Sequence, residues 1–116
     1  MARRYFSSIA QATTLDAGIN NSDTSVDVDA IVGFPASTPW TAVIDPDTVD
    51  EEIVEVTGVS GTTLTITRGV DGSTAVSHSA GAVFRHAVTG RDFDELNEYI
   101  NGNGVASLGL TSQFYA

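Results

Sequence analysis

Glu52-Ile53-Val54-Glu55-Val56-Thr57-Gly58-Val59-Ser60-Gly61-Thr62-Thr63-Leu64-Thr65-Ile66-Thr67 alternates aliphatic with polar residues on both sides of a glycine-bearing break. Successive side chains of a strand point to opposite faces, so a period of two is the mark of a half-buried strand. Glu52 to Thr57 and Thr62 to Thr67 are therefore predicted as two antiparallel strands of one hairpin, turning through Gly58-Val59-Ser60-Gly61.

Working upstream, Trp40 to Ile44 reads as a strand ended by Asp45-Pro46-Asp47, in which proline presets the second position of a turn. Gly33-Phe34-Pro35 and Ser37-Thr38-Pro39 mark a loop, because proline fixes φ and removes a ladder donor. Thr24 to Asp29 alternates cleanly, with Val26 and Val28 facing inward. Asn20-Asn21-Ser22-Asp23 is a turn cluster, and Thr14 to Ile19 is a further candidate strand. Downstream, Arg68 to Gly81 is rich in glycine and small residues and reads as an ordered excursion, after which Ala82 to Val88 returns the chain to the sheet. The sum is a mainly β protein of about five to seven strands, a compact antiparallel β-sandwich or small barrel.

One helix is predicted, from Arg91 to Ile100. Thr89 followed by Asp92 fits a capping box, and Phe93, Leu96 and Ile100 fall on one face, which is expected to pack on the β domain. Asn101-Gly102 supplies a left-handed stop. The organisation is thus an N-terminal arm over 1–12, the β domain over 13–88, the helix over 89–102 and a C-terminal tail over 103–116. Neither an internal repeat nor a low-complexity tract interrupts it.

Composition narrows the function classes. Among 116 residues there are 15 acidic and five basic ones, all arginine, for a formal charge of -10. Such a field repels phosphate backbones and anionic lipid, so neither nucleic acid nor a membrane is an expected partner. Without cysteine there is no disulfide framework and no thiolate ligand or nucleophile. The N-terminal residues lack the apolar stretch of a signal peptide, and no window approaches a membrane span; a soluble protein made in the cytoplasm is expected.

The run from Glu52 to Val83 resembles a small β-domain of tailed-bacteriophage structural proteins. In that family a strand pair runs into an Arg-Gly element, a Gly-Thr or Gly-Ser turn, an alanine, and a histidine followed by Gly-Ala. Arg68-Gly69, Gly72-Ser73, Ala75, His78 and Gly81-Ala82 stand at those positions. Upstream, Thr24-Ser25-Val26, Phe34-Pro35 and the strand around Val43-Ile44 also fit, so the resemblance covers about 13–88. It implies a virion structural protein without enzymatic activity. A capsid decoration subunit on the major capsid protein shell, as a homo-oligomer, is the first expectation. A tail, baseplate or fibre-attachment subunit is the alternative, and a virion-associated hydrolase the distant one.

Candidate chemistry stands beside simpler readings. The acidic run Asp45 to Glu52 offers oxygen ligands for calcium, but without the glycine and spacing of a calcium loop it reads as a solvated turn. His78 and His86, with Asp71 and Ser73, contain the residue types of a nucleophile, a base and an orienter. The strand-turn-helix elbow of a nucleophile is missing, however, and His78 is expected to hydrogen-bond within its own loop. Carboxylate pairs for glycoside hydrolysis exist on paper, yet a domain this small can hardly build the cleft. No cofactor is called for. Arg68 is expected to pair with a carboxylate and hold the excursion, with Gly69, Gly72 and Gly81 supplying the tight backbone. For attachment, Arg3, Arg4, Tyr5 and Phe6 of the arm and Phe114 and Tyr115 of the tail are the candidate interface residues, since aromatic and arginine side chains dominate interface energetics. Deleting Ala2 to Ser8 is expected to leave the domain folded.

Overall fold

The computed structural model describes residues 4–100. They form six strands and one helix: β1 (Thr13–Thr14), β2 (Ser25–Asp27), β3 (Trp40–Ile44), β4 (Glu52–Ser60), β5 (Thr63–Thr67), β6 (Val83–His86) and α1 (Gly90–Tyr99). The strands make one antiparallel sheet in the order β1-β6-β3-β4-β5-β2. It curls until its outer strands meet. Leu15 bridges Val28, with Asp16 N–H donating to the Asp27 carbonyl and Asp29 N–H to the Thr14 carbonyl, each at 2.9 Å. Of the two expected architectures, the small barrel is the one formed, and its outer strands are engaged with each other, not open to a further strand.

The interior follows the alternation. Trp40, Ala42 and Ile44 of β3, Val54 and Val56 of β4, Leu64 and Ile66 of β5, Val26 and Val28 from β2 onward, and Phe84 of β6 are buried together with Leu15, Ile19 and Ala82. Phe34 from the proline-marked loop closes over Trp40 and Phe84, with ring centroids 5.1 and 6.1 Å apart. This is one core, as a chain of this length predicts.

The hairpin turns later than its glycines suggest. β4 continues to Ser60, which pairs with Thr63, leaving Gly61-Thr62 as a two-residue turn with Gly61 at φ 61°. The register slips between Val56 and Gly58, so the surplus residue is taken up by a bulge in the strand. Upstream, the candidate strand Thr14 to Ile19 shrinks to β1, because only single bridges at Leu15 and Ile19 continue it.

Two expectations about the ends are corrected. Residues 4–12 turn at Ser8-Ile9 and lie along the body: Tyr5 N–H donates to the Pro39 carbonyl, Ser7 N–H to His86 Nε2, and Gln11 N–H to the Val32 carbonyl. With these bonds and the ion pairs of Arg4 described below, residues 4–8 are part of the folded unit, and their deletion is expected to destabilise it. The helix spans the predicted residues to within one position, with the Asp92 carboxylate accepting from Thr89 N–H at 2.9 Å. Its apolar stripe, however, faces outward: Phe93, Leu96 and Ile100 are 60, 52 and 37 % exposed. The 103–116 tail, with Phe114 and Tyr115, the Asn101-Gly102 stop and Arg3 lie outside the described residues.

These placements separate two leucines. Leu64→Ala, at a fully buried site, should lower the unfolding free energy by about 2–5 kcal/mol. Leu96→Ala should change it by no more than about 0.5 kcal/mol, as at other exposed positions. Urea denaturation of both variants measures the contrast.

Candidate functional site

The phase of β4 puts a carboxylate inside the barrel. Glu52 shares the inward face with Val54 and Val56, pairs with Ile44 across β3, and is 0 % exposed. Burying an ionised carboxylate in apolar surroundings is unfavourable by several kcal/mol unless it is paired and hydrogen-bonded. Arg68, the residue after β5, meets it in bidentate geometry: Nε donates to Oε2 and Nη2 to Oε1, both at 2.8 Å. The remaining guanidinium protons go to the carbonyls of Asn20 (2.7 Å), Asp23 (2.8 Å) and Val76 (2.7 Å). All five N–H donors of an arginine are thereby satisfied.

Glu52 is equally saturated. Besides Arg68 it accepts from Gly69 N–H (3.0 Å) and Val76 N–H (3.2 Å), and its Oε1 lies 2.9 Å from His78 Nε2. The other ring nitrogen of His78 lies 2.8 Å from Asp45 Oδ2. Thus the side-chain partners of His78 come from the β3–β4 turn and from β4, and its backbone makes reciprocal bonds with Ile19, so that none of these bonds lies within its own loop, contrary to expectation. Burial pushes the Glu52 carboxyl up, but the hydrogen bonds from Arg68, His78, Val76 and Gly69 outweigh it and hold it down at about 2, against an ordinary 4.5.

This knot ties the excursion to the barrel. Gly69, Gly72 and Gly81 have positive φ. At Gly69 a Cβ would also stand 3.1 Å from Ala75 N, so close approach and conformation both call for glycine there. Val70 N–H donates to the Ile53 carbonyl, while Ser73 Oγ accepts from Ile53 N–H at 2.9 Å. Ser73 is therefore a backbone bridge to β4. Asp71, at φ 55°, accepts from Arg91 N–H at 3.0 Å and so caps α1 from the excursion. Asp71, Ser73, His78 and His86 do not share partners: His86, on β6, has its Nδ1 2.8 Å from the Thr41 carbonyl and packs against Trp40.

A second polar cluster seats the helix. Arg4 is enclosed by Glu95 (2.6 Å), Asp92 (3.2 Å) and Glu55 (3.5 Å), and Arg91 reaches Glu55 at 3.1 Å. Asp92, itself buried, also accepts from Thr41 Oγ1 of β3 at 3.2 Å. Burial disfavours the charged Arg4 guanidinium, but the three carboxylates outweigh that and raise its pKa above the ordinary value. Arg4, named from the sequence as an attachment residue, is thus engaged within the molecule, whereas Phe6 beside it is 52 % exposed.

The acidic run is divided in the same way. Asp45 and Glu52 turn inward to His78, and Thr48 and Glu51 close the turn through bonds to the Asp45 carbonyl and Asp47 N–H. Among the described residues no group of three or more His, Asp or Glu side chains is placed to hold a metal ion. Sequence reasoning missed Glu52 as the centre of the site by counting it with the surface run. The signal was present: an acid in phase with Val54 and Val56. No protein-family model matches the chain, and no curated protein matches it.

Removing the central charge leaves Arg68 buried without its counter-ion, so Glu52→Gln should cost about 3–5 kcal/mol in urea denaturation at pH 7. Because the folded carboxyl titrates below its unfolded value, its contribution is complete above about pH 4.5 and is lost as pH falls toward 2. The wild-type stability should therefore drop over that window more steeply than that of Glu52→Gln; parallel curves would assign the acid sensitivity to other groups.

Proposed function

We propose that this protein is a non-enzymatic structural subunit of a tailed-bacteriophage particle, a decoration subunit that binds the major capsid shell. The observation that carries this reading is where the family-like positions fall. Arg68 and His78 lie in the buried knot around Glu52, Gly69 and Ser73 bond the excursion to β4, and Ala82 lines the core beside Gly81. The positions at which the sequence resembles the phage domains thus form, in this chain, a framework that holds an excursion on a barrel.

A framework of this kind supports binding more naturally than turnover. The charged groups gathered at the barrel end are saturated by one another: the side chains of Glu52 and His78 are 0 % exposed and that of Arg68 is 8 % exposed. A general acid or base must reach a substrate proton, and a coordinating group needs an open valence. Surface area and exposed side chains are what remain for function, consistent with a protein that works by docking on others. The strongly acidic surface favours a basic or mixed-charge partner.

Quantitative mass spectrometry of purified particles tests the assignment. Hundreds of copies per particle are expected of a shell subunit. A handful to a few dozen would move the protein to the tail or baseplate, and absence from particles would overturn the reading. Degradation of host cell wall by the isolated protein would overturn its non-enzymatic part.

A further inference from the structure

An amphipathic helix at the end of a small domain ordinarily buries its apolar side and shows its charges to water. α1 does the reverse. It is fastened to the barrel through Asp92, Glu95 and Arg91, by way of Arg4, Glu55 and Thr41, and its N-terminus is capped by Asp71. The attachment consumes the polar side and orients the stripe Phe93, Leu96 and Ile100 away from the body.

We propose that this stripe is a docking surface for a different protein, one that presents an apolar groove bordered by lysine or arginine. The inference rests on the reading of the chain as a binding subunit, and it names the chemistry of the partner. Spacing at i, i+3 and i+7 is that of the anchors by which a helix enters a groove. Aromatic and aliphatic anchors set in a polar rim are the usual anatomy of an interface centre.

Charge selects among occupants. Asp94 and Glu98 are the exposed acids of α1 and lie on one flank of it, beyond Asn97 from the stripe, while the arginines at the helix, Arg4 and Arg91, are turned inward to carboxylates. The solvent side of α1 therefore carries, besides the stripe, one acidic flank and no cation among the described residues, on a chain of formal charge -10. A second copy would bring the same acidic flank and the same net charge and be repelled, whereas a partner with a cationic border gains from both the acids of that flank and the whole-molecule field. The engagement of the outer strands with each other leaves side chains, not backbone edges, as the means of attachment.

The probe is a synthetic amphipathic helix of leucine and lysine, the simplest apolar face bordered by cations, with a leucine–glutamate analogue as its control. Fluorescence anisotropy of the labelled peptides with the full chain at physiological salt should show saturable one-to-one binding of the lysine peptide only. Phe93→Ser combined with Leu96→Ser should keep the wild-type unfolding midpoint and weaken binding at least tenfold. Asp94→Lys with Glu98→Lys, which leaves the stripe intact, should reverse the preference toward the glutamate peptide. Undiminished binding by the serine variant would reduce the interaction to bare charge and overturn the proposal. A dimer in sedimentation analysis that the serine variant dissolves would assign the stripe to a second copy, and a tenfold gain in binding on removal of residues 101–116 would assign it to that segment; either result overturns it. Particle copy number is independent of all these readings, so failure here is distinguishable from failure of the virion assignment.

Discussion

A carboxylate inside an apolar barrel has to be neutralised, and most of the architecture around the excursion follows from that one constraint. Glu52 occupies an inward position of β4 beside Val54 and Val56. An unpaired charge there would be disfavoured by more than any single apolar contact in the core contributes. Arg68 answers it from the end of the neighbouring strand, and the backbone N–H groups of Gly69 and Val76 complete its shell. To deliver those donors the chain must leave the sheet after β5 and return across the barrel end. The excursion is thus the covalent route by which the ligands of Glu52 reach it. A buried ion pair of this kind is often no more stabilising than an apolar isostere would be, but it specifies geometry. Here it specifies which loop closes the barrel and in what register.

The same arginine binds the carbonyls of Asn20 and Asp23, and Asp45 reaches the knot through His78. Three turns distant in sequence are therefore locked by one group of charges. From the excursion the constraint passes to the helix, since Asp71, held in a left-handed conformation, caps α1. Local choices in the loop thereby orient a secondary element on the outer side of β3 and β4.

The helix is held by a different balance. Arg4, Glu55, Arg91, Asp92 and Glu95 form a network with charges of both signs, so no single carboxylate is buried without a counter-ion. Thr41, on the outward phase of β3, is covered by that network instead of by apolar side chains. Had the outer side of the sheet carried aliphatic residues at Thr41 and Glu55, the helix could have turned its own apolar stripe inward. The polar seat on the sheet and the outward stripe on the helix are two consequences of one pattern of residues.

The residues by themselves determined the β class, the positions of β3 and β5, the inward pair Val26 and Val28, the bounds of α1 and the need of Arg68 for a carboxylate. These are local matters: alternation, turn chemistry and capping act within a few positions, and an arginine leaving a strand in an acidic chain has partners in abundance. Even the identity of that partner was legible in the phase of β4. Only the tertiary structure decided the rest. The late hairpin turn depended on a bulge, which pairing with β5 imposes and which β4 alone does not encode. Where His78 would find its partners depended on how the excursion crosses the barrel end. Closure of the sheet depended on the meeting of β1 and β2, two short strands joined by a single bridge. Periodicity showed that Phe93, Leu96 and Ile100 share a face, but which way that face points was settled by Arg4, a residue far away in the chain whose charge had to be surrounded by carboxylates.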